Sequence, residues 1–243
     1  MQRSLVLQLH SVRHEAASDP EGIVRQVPSL GFDSVEMAGT YGWSIEYWKK
    51  ILTETKLLVV GAHVGLEALE KEWDTQTAFQ RAIGNQRLVV PSLPSDLRTA
   101  EGFTEAAKRL TTLGKRARAD GFALLYHNHA YEFTPVAGDR CGMDILLAET
   151  DPQLLSLEVD TYWVERGGCN SREFIQQNAA RIGMIHAKEF RHDGRDMPAG
   201  QGDVEWRTII PLARSHDWPI VVEYEADNAL SAVTASAHYF REL

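Results

Sequence analysis

At 243 residues the chain is long for one simple sandwich and short for two enzyme domains, so one domain spanning 1–243 is expected. Apolar residues make up 44% and charged residues 24%, an ordinary balance for a globular chain with a sizeable core, which argues against disorder. A formal charge of -9, from 25 basic against 34 acidic residues, repels a phosphate backbone, and no Lys/Arg run interleaves with aromatics; a small-molecule ligand is expected and a nucleic-acid partner is not.

Short β-branched and apolar runs alternate with longer amphipathic segments, the pattern of successive βα units and a parallel sheet. In chain order, strands are expected at LVLQL (5–9), SVEMA (34–38), LLVVGAHV (57–64), RLVVPSL (87–93), ALLYHNH (123–129), LSLEVDTY (155–162), RIGMIHAKEF (181–190) and PIVVEYE (219–225). Helices are expected between them, among others at 44–55, 67–83, 101–119 and 229–241. Eight such units in this length select the α/β class and a single (β/α)8 TIM barrel over an open doubly wound sheet, and no GxGxxG follows the first strand. Glycine-rich pieces at 138–142, 166–170 and 194–203 fall after strands, where loops of a barrel's catalytic face belong.

Two cysteines, Cys141 and Cys169, lack CxxC spacing and encode neither a disulfide framework nor a thiolate zinc site. The opening MQRSLVLQLHSVRHE lacks the long apolar region and cleavage site of a signal peptide, and no apolar run approaches the roughly 20 residues that span a bilayer. A cytoplasmic chain without a membrane partner is the expectation. Whether helix faces form a homo-oligomer stays open.

Strands buried on both faces should be almost wholly apolar, because a carboxylate or imidazole there costs desolvation energy unless it is paired or coordinated. Here Glu36, His63, His127, His129, Asp160, His186 and Glu223 lie toward the carboxyl ends of their strands, with Glu132 just beyond the fifth. Glu132, Asp160, His186 and Glu223 come from four consecutive strands and would share one side of the barrel mouth. Three carboxylates and one imidazole form a hard, oxygen-rich set suited to Mn²⁺, Mg²⁺ or Co²⁺, with Zn²⁺ also admitted. A bound divalent metal would offset the charge that such a set concentrates.

Each residue alone has a plainer reading. His186 would serve as a hydrogen-bonded core residue, Glu132 as a capping or surface carboxylate, Asp160 as the start of an Asx-type turn and Lys188 as a solvated strand-end lysine. His63, His127 and His129 would hydrogen bond to a ligand or tie loops together. Alternation lets only one of His127 or Asn128 face inward, and His129 accompanies His127. Glu158 would lie below Asp160 on the same face, while Trp163, Phe133 and Trp206 would wall a ring or fill core. The convergence of acids and an imidazole at one end of adjacent strands is what favours a site.

YHNHAYEF, SLEVDTYWVERGG, MIHAKEF and VVEYEADN resemble signature segments of the sugar phosphate isomerase/epimerase family with xylose isomerase-like barrels. LVLQLHSVR, GFDSVEMAG, VVGAHVG and GQGDVEW extend the resemblance over nearly the whole chain. It implies a divalent metal on Glu132, Asp160, His186 and Glu223, with Glu132 and Glu223 as the proton-transfer pair. Glu189 stands where Asp is common in that family, and His10 where an aromatic is common.

The activity so implied is isomerisation or epimerisation of a sugar or sugar derivative: the metal stabilises an enediolate while the two glutamates exchange a proton with carbon. His63, His127, His129, Lys188 and Trp163 would contact the substrate. Dehydration of a keto-polyol, of the inosose or dehydroshikimate type, would use the same site. A noncatalytic sugar-binding barrel would be expected to lack a ligand, and an abasic-site endonuclease to carry a basic face.

Overall fold

The computed structural model describes residues 5–243; the first four residues of the expected 1–243 unit lie outside the described residues. Eight parallel strands close in chain order: β1 Leu5–Gln8, β2 Ser34–Met37, β3 Leu58–His63, β4 Arg87–Val90, β5 Ala123–His127, β6 Ser156–Asp160, β7 Ile182–Ala187 and β8 Ile220–Val222. Every one of the eight expected strands is present. Closure pairs Val6 of β1 with Val221 of β8, so no edge remains.

Where strands end earlier than expected, the cause is local. β4 stops before Pro91, which has no N–H for the ladder. β6 stops at Asp160 because its carboxylate accepts the Trp163 N–H at 3.0 Å and caps the helix Thr161–Arg166. Beyond β7, Glu189–Phe190 leaves the barrel to pair with Asp196–Met197 as a small hairpin. The expected helix at 67–83 is two, Leu66–Lys71 and Trp73–Ala82, with Leu66, Leu69 and Trp73 all buried. Helices Ile45–Thr55 and Ala100–Ala119 begin on Ser44 and Thr99, whose hydroxyls accept the Tyr47 and Gly102 N–H groups. Among the described residues no helix is long and apolar enough to cross a membrane.

Two apolar clusters follow from the period-2 alternation of the strands. The larger lies between strands and helices; the smaller fills the barrel interior with Val6, Val89, Leu125, Met184 and Val221, and Val60 against it. Each of these contributes about 1.5–3 kcal/mol relative to exposure. One step of two residues along the same faces replaces Val6 by Gln8, Leu125 by His127, Met184 by His186 and Val221 by Glu223. The polar site is therefore the next layer up on the apolar plug.

Candidate metal centre and catalytic cavity

The lowest polar layer is a closed network. Gln8 Nε2 donates to Glu36 Oε2 at 2.7 Å, and that oxygen lies 3.3 Å from His63 Nε2 and 3.4 Å from His186 Nε2. Glu158 Oε2 sits 2.9 Å from His63 Nε2 and 3.0 Å from His127 Nδ1. Both carboxylates occupy positions where the ladder slips, between Val35 and Glu36 and between Leu157 and Glu158. Such bulges re-aim side chains next to sites. Gly61 makes room for one of them, since a Cβ there would lie 2.4 Å from Glu36 Oε1. Glu36 is visible in the sequence as a strand-end acid, but nothing there joins it to His186.

Above this network Asp160 Oδ2 lies 3.0 Å from His186 Nδ1, which is 3.7 Å from Glu223 Oε2. The ligand atoms of Asp160, His186 and Glu223 all fall within 4.8 Å of one another. Register explains two of them, because Asp160 is the direct neighbour of His186 across β6 and β7. Asn128 accepts the Asp160 N–H at 3.0 Å and donates to the Asp160 carbonyl at 3.2 Å, fixing the strand end from β5. His186 thus turns one ring nitrogen to the carboxylates above and the other toward Glu36 below.

Glu132 is not brought into this set. It is fully buried in a 3-10 turn after β5, where its carboxylate accepts the Tyr126 hydroxyl at 2.5 Å and the His129 N–H at 2.8 Å. Burial pushes its carboxyl up to about 7 despite those donors. Both oxygens are engaged in holding the loop, which is the physical reason it stands apart from Asp160, His186 and Glu223.

Lys188 is not a solvated lysine: it is 1% exposed, with Nζ 3.3 Å from Glu223 Oε2 and paired with Glu225. Burial works against its charge, but Glu223, Asp160 and Glu225 outweigh it and raise the ammonium above its ordinary value. Glu223 is likewise penalised by burial yet held below the usual carboxylate range by Lys188 and His186. Burial depresses His127 well below its usual value and His129 to about 4, so both rings are neutral at pH 7. For His63 the carboxylates of Glu36 and Glu158 overcome burial and lift it to about 10.

A cavity of about 340 Å³ opens over these groups, lined by His10, His63, Ser92, His127, His129, Trp163, Glu223 and Glu225 together with Ala38 and Pro91. His63, His127, His129 and Trp163 thus face one space, as does Glu223. Phe133 and Trp206 do not: Phe133 packs on Phe174, and Trp206 is buried with its Nε1 donating to Glu189 at 2.7 Å. Glu189 also accepts the Gly200 and Val204 N–H groups, so it organises the glycine-rich loop after β7. Ala38, Pro91, Ser92, His10 and Glu225 fall outside the expected site; of these His10 and Glu225 pair at 3.3 Å, and Glu225 has the signal of sharing a strand face with Glu223.

A divalent ion fits Asp160, His186 and Glu223. Two carboxylates and an imidazole offer three donors close together, a set natural to hard or borderline cations. His186 has a carboxylate behind its second nitrogen, the arrangement that orients ligating histidines. Among the described residues, the buried Oε1 atoms of Glu36 and Glu158 have no hydrogen-bond partner, so the layer carries acceptor capacity that a cation overhead would balance.

The chain matches the model of the xylose isomerase-like TIM barrel family over residues 24–243 and belongs to that family. Inosose dehydratase of Clostridium botulinum is 22% identical over 267 aligned residues, covering 91% of this chain and 89% of that one. A crystal structure of a sugar phosphate isomerase/epimerase from Parabacteroides distasonis superposes with TM-score 0.84 at 21% identity, covering 97% of this chain and 96% of the other. A xylose isomerase-like TIM barrel protein from Mycobacterium smegmatis, solved in complex with magnesium, superposes with TM-score 0.71 at 16% identity over 98% of this chain and 95% of its own.

Proposed function

We propose that this member of the xylose isomerase-like barrel family is a divalent-metal-dependent enzyme that removes a proton from the carbon beside the ketone of a cyclic keto-polyol or keto-sugar, and expels a β-hydroxyl as water. The observation that carries the reading is the convergence of Asp160, His186 and Glu223 under a cavity rich in imidazoles. These three residues would hold the ion. When bound, it supplies Lewis acidity that polarises the ketone oxygen and makes the neighbouring C–H acidic.

The remaining chemistry belongs to the chain. Glu223 is ionised and lines the cavity, so it serves as the base, with Lys188 beside it to hold its charge. His63, His127 and His129 line the cavity as well and hold substrate hydroxyls. The carbon-bound proton passes to the carboxylate, the carbon–carbon double bond forms, and the hydroxyl takes a proton from the His63 imidazolium as it leaves. Elimination is favoured over epimerisation by a Glu132–Glu223 pair because Glu132 is not among the residues that line the cavity and both its oxygens are engaged, while Glu225, the other carboxylate of the lining, is paired with Lys188 and His10. The resemblance of the chain to inosose dehydratase supports the same choice.

The test is to incubate the Mn²⁺-supplied protein with a panel of ring ketones in D₂O and follow it by NMR. Loss of water with deuterium exchange at the carbon beside the ketone is expected; an epimer without water loss, or no exchange into any ketone, overturns the proposal.

A further inference from the structure

A second hollow of about 190 Å³ adjoins the catalytic cavity and shares Trp163 and Glu225 with it; its other walls are Tyr162, Lys188, Asp196 and Ala226. Its construction is specific. Tyr162 and Trp163 meet edge to face at 4.9 Å between centroids, and Lys188 Nζ stands 5.0 and 5.1 Å from the two rings. The Tyr162 hydroxyl donates to the Gly194 carbonyl at 3.0 Å, anchoring the hairpin that carries Asp196. Asp196 Oδ2 accepts the Glu225 N–H at 2.7 Å, whereas Oδ1 is buried and has no hydrogen-bond partner among the described residues.

Aromatic faces beside an unused acceptor are the equipment for a hydroxylated ring: C–H edges pack on the rings and a hydroxyl satisfies the acceptor. Charge narrows the ligand. Among the described residues no lysine or arginine lines the catalytic cavity, and the ammonium that they place at the hollow, Lys188, is already paired with Glu223 and Glu225. A phosphate would meet carboxylates in both spaces. We propose that the substrate is an uncharged ring ketone bearing a second hydroxylated group, such as a glycosyl unit, which occupies the hollow between Tyr162, Trp163 and Asp196.

This inference rests on the proposed ketone chemistry for the reacting ring, so its test reads binding apart from turnover. The probes are a hexose-sized ring ketone, the same ketone carrying a hexosyl group, and the ketone carrying a phosphate, each titrated calorimetrically into the Mn²⁺-supplied protein. The hexosyl ketone is expected to bind about tenfold more tightly than the bare ketone, and the phosphorylated one more weakly than either. In A226F, which fills the hollow, and in D196A, which removes the free acceptor, that ratio collapses toward one; D196N, which keeps an acceptor for the Glu225 N–H, separates loss of the hollow from displacement of Glu225. Equal affinity for the bare and hexosyl ketones, a ratio unmoved in A226F, or tighter binding of the phosphorylated ketone overturns the proposal. Preferential binding of the hexosyl ketone with no deuterium exchange into it overturns the catalytic reading alone and leaves the hollow's role standing.

Discussion

Lys188 holds its ammonium 3.3 Å from Glu223 Oε2 at a depth where both side chains are buried. A buried carboxylate without a cation is costly, and removing one partner of such a pair typically costs about 3–5 kcal/mol. Lys188→Met is therefore expected to destabilise the chain by about 3 kcal/mol when divalent metal is chelated away. Added Mn²⁺ supplies another positive charge to the same carboxylates, so the variant should recover more stability with metal than the wild type gains. Melting temperatures with EDTA and with Mn²⁺ check this; an equal metal-induced rise in both proteins refutes it.

Glu36 lies 3.4 Å from the His186 nitrogen that faces away from Asp160 and Glu223. Glu36→Gln should lower Mn²⁺ affinity by about 10–100-fold without removing any ligand, because the imidazole loses the group that orients it. Gly61→Ala should act through the same carboxylate, since its Cβ would sit 2.4 Å from Glu36 Oε1, and should also cost about 1–3 kcal/mol of stability through crowding. Calorimetric titration with Mn²⁺ measures the first effect and urea unfolding the second. Wild-type affinity in Glu36→Gln would remove Glu36 from the centre's support.

Asp160 and Glu132 should part company under the same titration. Asp160→Asn removes a charged oxygen from the set within 4.8 Å and is expected to weaken Mn²⁺ by about 100-fold or more. Glu132→Gln, whose changed group faces Tyr126 and His129, is expected to hold Mn²⁺ within about threefold of wild type. Comparable losses in the two variants would restore Glu132 to the ligand set that the sequence suggests.

The raised carboxyl of Glu132, at about 7 against a value of 4.5 for an unburied group, also predicts a pH dependence. Between these values the folded chain binds a proton that the unfolded chain has released, so stability falls as pH rises. The contribution is intact below pH 4.5, is lost progressively up to about 7 and is constant above, amounting to about 3 kcal/mol. Glu132→Gln should flatten that part of the profile. Urea midpoints at pH 5 and pH 8 for both proteins decide it, and an unchanged slope in the variant counts against the raised value.

The order of elements was legible because barrel formation is a local affair repeated eight times: apolar runs of strand length, capped helices between them, and polar residues confined to strand ends. Asp160, His186 and Glu223 can be picked out for the same reason, since each follows its own strand's alternation into the layer above Glu158, Met184 and Val221. Lys188 could not be settled, because a lysine two residues past His186 reads equally as solvated until Glu223 and Glu225 are seen to enclose it. Glu132 has the right neighbours in sequence, yet the turn at Tyr131–Phe133 directs its carboxylate to Tyr126. Glu36 reaches His186 only through a ladder slip and the missing side chain of Gly61, five strands away from β7 along the chain. Period-2 patterning in a single strand decides which face a side chain takes; which charged groups share that face's neighbourhood, and so which are ligands, supports or loop anchors, is decided by the closure of the sheet and by the bulges that re-aim individual positions.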